Sequence, residues 1–319
     1  MKKKGIIVLL CLFLLSALLI TAACSSETVS TPTPTISAQT TYPVVVTDLL
    51  GRSVQISQLP TRIVTTQPTA TETLYKVGGT AVGRDSSSKY PAAVLDLPTV
   101  GSAYNINTEA IAGLNPDLII IEALTQQSAI SSLEKLGVPI IAVRATSVAD
   151  IDQSLTLVGK VVDRSAAAAQ AVADINDRIA TAQGNTTGGK SVLILISDAQ
   201  RNVYAAKPES YPGTVAALLK LVNPATGLPD SGPYPGFTLF TAEQALTSNP
   251  DVVFTISPAP APAPRLSTVL PQTPGFSQMN AVKAGRVVEL DPVLFLQAQG
   301  PRIADAVEEM LRLMNEVAS

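Results

Sequence analysis

This sequence predicts an α/β chain of two lobes joined by a single helix, and three observations predict it. First, one segment occurs twice. Residues 108–121 read T-E-A-I-A-G-L-N-P-D-L-I-I-I and residues 242–255 read A-E-Q-A-L-T-S-N-P-D-V-V-F-T, so Glu109 matches Glu243 and Asn115-Pro116-Asp117 matches Asn249-Pro250-Asp251. Second, short aliphatic runs alternate with helical stretches of about ten residues, the pattern of parallel βαβ units. Third, an Ala-rich helical stretch from Ser165 to Gln183 separates the two copies and carries Val172, Ile175 and Ile179 on one face.

Each copy of the repeat has a local physical reading. Asn107 and Thr241 are good N-caps two residues before each Glu. The carboxylate then lies in the first turn, where the helix dipole favours it. Asn tolerates the left-handed conformation at the helix end, and the Pro that follows cannot continue the helix. The aliphatic residues beyond read as a buried strand.

The start of the chain sets its address. Lys2, Lys3 and Lys4 precede an apolar run from Ile6 to Ile20, and the small residues Thr21-Ala22-Ala23 precede Cys24. This is an export signal over 1–23 with a lipobox-like end, Thr21 standing where lipoboxes carry Leu. The alternative is an uncleaved anchor, because the run is long for a signal peptide. Cys24 is the expected lipidation site. Residues 25–41 are rich in Ser, Thr and Pro and read as a tether. The expected divisions are therefore a signal peptide over 1–23, a lipidated Cys and tether over 24–41, an N-terminal lobe over 42–163, a connecting helix over 164–184 and a C-terminal lobe over 185–319.

Composition narrows the chemistry. The chain has 319 residues, no histidine, no tryptophan and two cysteines, both within the first 24 residues. Imidazole bases, triads and most transition-metal sites are excluded, as is thiolate chemistry in the mature domain. Without the three leader lysines, 19 basic residues face 25 acidic ones, and that balance gives no reason to expect nucleic acid.

In chain order, Val44 to Ile56 reads as a hairpin turning at Gly51, and Thr61 to Thr66 as a strand. Pro68 to Val77 reads as a helix ended by Gly78-Gly79, and Ala81 to Arg84 as a short strand. Gln126 to Leu136 reads as a helix closed by Gly137, Val138 to Val143 as a strand, and Asp152 to Asp163 as a helix. In the second half, Ser191 to Ser197 and Asn202 to Ala206 read as strands and Tyr211 to Val222 as a helix. Asn223 to Phe237 reads as loop, and Pro258 to Pro264 as stiff polyproline. A short helical piece over Asn280 to Ala284 and a strand over Arg286 to Leu290 precede the last helix, striped by Ile303, Val307, Met310, Met314 and Val317.

Ligands in open α/β sheets sit at the carboxyl ends of the strands. That rule nominates the stretch Thr66 to Thr69 with Thr66 and Gln67, Tyr90, Tyr104, Tyr204, Tyr211, Tyr234, Phe237, the stretch 258–265 with Arg265, and residues 294–297.

Taken together, several segments resemble the substrate-binding proteins of ABC importers for iron chelates, haem and cobalamin. They are Pro60-x-Arg62-Ile63-Val64, Thr71-Glu72, the S-S-S-K-Y-P run ending at Pro91, Val100-Gly101, the two Glu–N-P-D segments, Leu136-Gly137-Val138-Pro139, Ala281-Val282-Lys283-x-Gly285-Arg286-Val287 and Gly300-Pro301-Arg302. The resemblance implies two Rossmann-like lobes joined by one long α-helix, with ligand in the cleft between them, and a monomer that stands on a permease dimer. It implies that Glu109 and Glu243 meet permease arginines. The plain alternative is two helix-start carboxylates, each worth about 0.3–1 kcal/mol to its helix.

For the ligand, the haem binders of the family show Tyr directly after Val-Gly and Arg two residues on. Here Ser102 and Tyr104 stand in those places. Siderophore binders use cations, and Arg84, Lys89, Arg201, Lys207 and Arg265 are present without clustering in sequence. Cobalamin binders are similar in the Tyr90-Pro91 run and in an aromatic six residues before the second-lobe Glu, here Phe237. The expectation is a corrinoid first, a ferric chelate next and haem as the alternative. An exported enzyme is the reading from another class, and it lacks a nucleophile–base pair, a G-x-S-x-G elbow and a phosphate loop.

Overall fold

A computed structural model describes residues 39–186, 188–259, 262–297 and 299–318. The signal segment, Cys24 and the tether up to residue 38 lie outside the described residues. The Thr40 amide donates to Asp163 Oδ1 at 2.7 Å and the Tyr42 hydroxyl to the Val161 carbonyl at 2.8 Å.

The N-terminal half opens with the expected hairpin, β1 (Val44–Thr47) against β2 (Ser53–Ile56). Buried Asp48 closes its turn by accepting from the Leu50 and Arg52 amides and from the Arg52 guanidinium, and it also accepts from the Ala142 amide at 3.1 Å. One carboxylate thus shapes the turn and fastens the hairpin to the main sheet. Next come β3 (Ile63–Thr65), α1 (Pro68–Lys76), a small hairpin of β4 (Gly101–Ser102) and β5 (Asn105–Ile106), α2 (Thr108–Gly113), β6 (Leu118–Glu122), α3 (Ile130–Leu133), β7 (Ile140–Val143) and α4 (Val148–Val161). Strands β3, β6 and β7 form a parallel sheet in that order, with Val64 beside Ile119 and Ile120 beside Ile141.

Two elements differ from the sequence reading. Residues 81–84 make single bridges, Val64 to Gly83 and Arg84 to Thr99, rather than a strand. The Arg84 guanidinium is buried and donates to the carbonyls of Val94, Asp85 and Leu95, which turns the chain into a knot of loops. The expected helix over 126–136 is broken, with α3 flanked by 3-10 turns at Gln127–Ala129 and Glu134–Leu136. Ser128, Ser131 and Ser132 weaken it.

Helix α5 (Ser165–Gly184) follows, burying Ala168, Ala171, Ile175, Ile179 and Ala182. It packs on α4 at Gly159, where a Cβ would sit 2.4 Å from the Ala168 Cβ, so only glycine allows the two axes this close. The C-terminal half contains β8 (Val192–Ser197), β9 (Val203–Ala206), α6 (Tyr211–Leu218), β10 (Phe237–Leu239), α7 (Ala242–Ser248), β11 (Val252–Ile256), α8 (Leu266–Val269), α9 (Asn280–Lys283), β12 (Val287–Leu290) and α10 (Ile303–Ala318). Its sheet runs β10-β9-β8-β11-β12. Strands β8, β11 and β12 are parallel, while β9 and β10 are antiparallel additions. Strand β10 begins at Phe237, the last residue of the stretch read as loop, and its three residues are too few to give a periodic signal. Helix α10 buries Ile303, Val307, Met310 and Met314 of its expected stripe and is tied to α5 by Arg178, which pairs with Asp305 at 2.7 Å and Glu308 at 2.6 Å.

The repeat has one geometry in both halves. Asn107 Oδ1 caps α2 by accepting from the Ala110 amide at 3.0 Å, and Thr241 and Gln244 form a reciprocal capping box on α7. Asn115 and Asn249 sit at φ 46° and 40°, in the left-handed region. The Asp of each N-P-D reaches back to the preceding strand. Among the described residues, the Asp117 carboxylate accepts from the Thr61 amide and hydroxyl and the Arg62 amide, whereas that of Asp251 accepts from the Ser191 amide alone. The two copies should therefore respond unequally: Asp117→Ala should cost about 2–3 kcal/mol and Asp251→Ala about 1 kcal/mol, read from urea midpoints. Equal losses would contradict this difference.

Candidate functional site

The carboxyl ends of β3, β6 and β7 open on a cleft of about 390 Å³ whose far side is formed by Leu296, Gln297 and Gln299, after β12. Each wall follows from local chemistry. Strand β3 ends at Thr65, and Gln67 caps α1 by accepting from the Thr69 amide at 2.8 Å, with Pro68 at the first helical position. The Thr69 hydroxyl donates to the Gln299 carbonyl at 2.6 Å and joins the two sides of the cleft at its floor. Glu122 ends β6. Its carboxylate accepts from the Leu124 and Thr125 amides and the Thr125 hydroxyl, so it lies in the cleft wall, held by donors of its own loop.

Behind this wall stands Gln126, 2% exposed. Its Nε2 donates to the carbonyls of Thr66 at 2.9 Å and Ala103 at 2.8 Å, and its Oε1 accepts from the Thr66 hydroxyl and the Glu122 amide. One side chain thereby ties the end of β3, the end of β6 and the β4–β5 hairpin. That hairpin carries Tyr104, which is 89% exposed and lines the cleft together with the exposed Leu124.

The structure brings together Gln67, Tyr104 and, from the nominated 294–297 segment, Leu296 and Gln297. Thr66 is buried behind the wall on Gln126 and Ile120. Tyr90 lies in an adjoining cavity of about 300 Å³, under the Arg302 guanidinium at 4.4 Å from its ring centre. Tyr211 is buried on α6, and its hydroxyl has no hydrogen-bond partner among the described residues. Tyr204, Tyr234 and Phe237 make an edge-to-face cluster on β9 and β10 and the loop between them, with centroids 5.5 and 6.1 Å apart, and the Tyr204 hydroxyl donates to Asp198 at 3.0 Å. Gly232, at φ 86°, lies flat on the Tyr204 ring, where a Cβ would meet Cε1 at 2.2 Å. Arg265 precedes α8 and donates to the Ser257 carbonyl at 3.3 Å. None of these last four side chains lines the cleft.

Thr69, from the nominated stretch Thr66 to Thr69, also lines the cleft, whereas Glu122, Gln126 and Gln299 were missed by the sequence reading. Glu122 had a signal, since it directly follows the L-I-I-I run. Gln126 and Gln299 have none, because Gln126 acts on Thr66, 60 residues away, and Gln299 on Thr69, 230 residues away. Glu109 and Glu243 stand exposed in the first turns of α2 and α7, with no ion pair among the described residues. A groove of about 640 Å³ runs beside Glu109. Among the described residues no group of three His, Cys, Asp or Glu could hold a metal ion, and no helix is long and apolar enough to cross a membrane.

A family model described as periplasmic binding protein matches residues 63–294. The chain belongs to that family. Its members are binding proteins of ABC importers, not enzymes. This binding protein is 27% identical over 282 residues to the uncharacterized ABC transporter substrate-binding lipoprotein YvrC of Bacillus subtilis, covering 84% of each chain. It is 24% identical to a cobalamin-binding protein of Halobacterium salinarum, covering 86% of this chain and 74% of that one. The petrobactin-binding protein YclQ of Bacillus subtilis shares its fold at a TM-score of 0.73 and 20% identity, with 88% of this chain and 99% of that one covered. The α/β class and the family expected from sequence are those found.

Proposed function

We propose that this binding protein is held at the outer face of the cytoplasmic membrane by lipid on Cys24. There it captures a corrinoid in the cleft at the carboxyl ends of β3, β6 and β7 and delivers it to an ABC permease that meets Glu109 and Glu243. The observation that carries the ligand class is the charge of the cleft. No arginine or lysine is among its described lining residues, and Glu122 supplies a carboxylate. Haem propionates and ferric catecholates are anionic, and a like charge in a partly desolvated wall repels them. A neutral, amide-bearing ligand fits better. The side chains of Gln67 and Gln297 both donate and accept, and Tyr104, Leu124 and Leu296 offer apolar area to a flat macrocycle. The relative named for cobalamin supports the same reading.

Titration of the purified protein with cyanocobalamin, haemin and a ferric catecholate tests it. Cyanocobalamin should bind with a Kd of about 1 μM or tighter, roughly −8 kcal/mol, and at least tenfold more tightly than either anion. Tighter binding of haemin or the catecholate would overturn the corrinoid assignment. No binding of any of the three would overturn the chelate class.

A further inference from the structure

Behind the ligand cleft, one face of α1 carries Thr69, Glu72 and Lys76, spaced three and four residues apart and so turned the same way. Thr69 and Glu72 meet the C-terminal half, and Lys76 meets helix α5. Thr69 donates to the Gln299 carbonyl, Glu72 Oε1 lies 4.0 Å from Arg302 Nη1, and Lys76 Nζ is 3.1 Å from Asp174 of α5. Glu72 lines the cavity around Tyr90 and is 6% exposed, and its Oε2 is buried with no hydrogen-bond partner among the described residues.

The groups facing Glu72 come from every packed element: Arg302 and Asp305 at the start of α10, Tyr211 on α6, and, around the shared cavity, Arg178 on α5, Tyr90 on its loop and Lys76 on α1 itself. Arg302 is the natural counter-ion, yet it is engaged elsewhere. Its Nε is 3.4 Å from Asp305, and its guanidinium covers the Tyr90 ring. At 4.0 Å it stands at the limit of an ion pair, so desolvation prevails and Asp305 adds to it. The Glu72 carboxyl is pushed up from its ordinary 4.5 to about 8.

We propose that Glu72 is a protonation-controlled latch between the two lobes. Neutral, it lets α1 seat on the segment 299–302 and holds the cleft floor closed. Ionised, it is a buried charge with Arg302 4.0 Å away and held by Asp305 and Tyr90, so α1 lifts from the segment 299–302 to hydrate the carboxylate and the Thr69–Gln299 contact one turn away parts. The sign follows from the raised pKa. The folded protein holds a proton that the unfolded chain releases near pH 4.5. Stability is therefore lost progressively from about pH 4.5 to 8, and the latch itself opens above about pH 8. The latch requires only the two lobes. Its effect on ligand capture rests on the reading of the cleft given above.

Hydrogen exchange on the ligand-free protein tests the latch from pH 6 to 9, with amides of 69–76 and 299–303 normalised to those of α4 to remove base catalysis. Protection at both segments should fall up to about tenfold per pH unit above the Glu72 pKa, and the fall should vanish in Glu72→Gln. The excess thermal stability of Glu72→Gln should also grow from pH 5 to 8. Identical pH responses in the two proteins would overturn the proposal. Should the variant not fold, exchange at 69–76 that tracks α4 through pH 9 in the unaltered protein would overturn it equally. Cyanocobalamin affinity that drops between pH 7 and 9 in the unaltered protein but not in Glu72→Gln would tie the latch to capture. An exchange switch with no cyanocobalamin binding at either pH would support the latch and reject only the ligand.

Discussion

A protein carrying Glu109→Ala and Glu243→Ala should bind its ligand as tightly as the unaltered chain and deliver none of it. Both carboxylates are exposed, unpaired among the described residues, and placed in the first turn of short, well-capped helices. Their removal takes away a helix-dipole contact of about 0.3–1 kcal/mol each, too little to unfold either lobe. Neither lines the cleft. The matched N-caps are what make them suited to docking. Asn107 and Thr241 fix the two helix starts with the same bond to the third residue, so each carboxylate is held out at the same place on its lobe. Ligand titration and uptake into vesicles bearing the cognate permease separate the two roles. Single substitutions should leave partial uptake, because one charged contact remains. Normal uptake by the double variant would reduce both residues to helix-start carboxylates.

The second large effect is expected at Gln126, where Gln126→Ala should destabilise the protein by about 3–5 kcal/mol and weaken ligand binding. Its amide makes four hydrogen bonds in a site 2% exposed. Truncation takes this partner from two carbonyls and an amide, while the Thr66 hydroxyl keeps the Ile120 carbonyl at 3.3 Å, and buried polar groups left unpaired cost about 1–3 kcal/mol each before relaxation. The lost bond to Ala103 also frees the hairpin that holds Tyr104 over the cleft. Urea unfolding and titration of the same sample check both halves. A cost below about 1 kcal/mol would mean that water replaces the amide and that the cleft wall stands without it.

These two sites show how unevenly the molecule was legible. The docking candidates were visible because their signals are local. A cap, a glutamate, an asparagine able to adopt φ near 40°, a proline and an aliphatic run all lie within about a dozen residues, and the chain repeats them. The proposed ligand site was only partly visible. Gln67, Tyr104, Leu296 and Gln297 could be reached from the rule that ligands sit at strand carboxyl ends. The same rule led to Tyr204 and Phe237, because it assumes parallel strands. Strand β9 runs antiparallel to β8, and β10 antiparallel to β9, so these aromatics form a cluster of their own along the sheet edge instead of lining the cleft.

By itself the sequence determined the α/β class, the duplicated helix–turn–strand, the long helix between the copies and the exclusion of histidine and thiol chemistry. All of these depend on residue type and short-range spacing. Tertiary structure alone decided that Arg84 is consumed by loop carbonyls, that Gln126 braces the cleft, that Tyr90 lies under Arg302, and that Glu72 is buried. A side chain's exposure and charge state depend on what other segments bring against it, and those segments lie up to some 230 residues away.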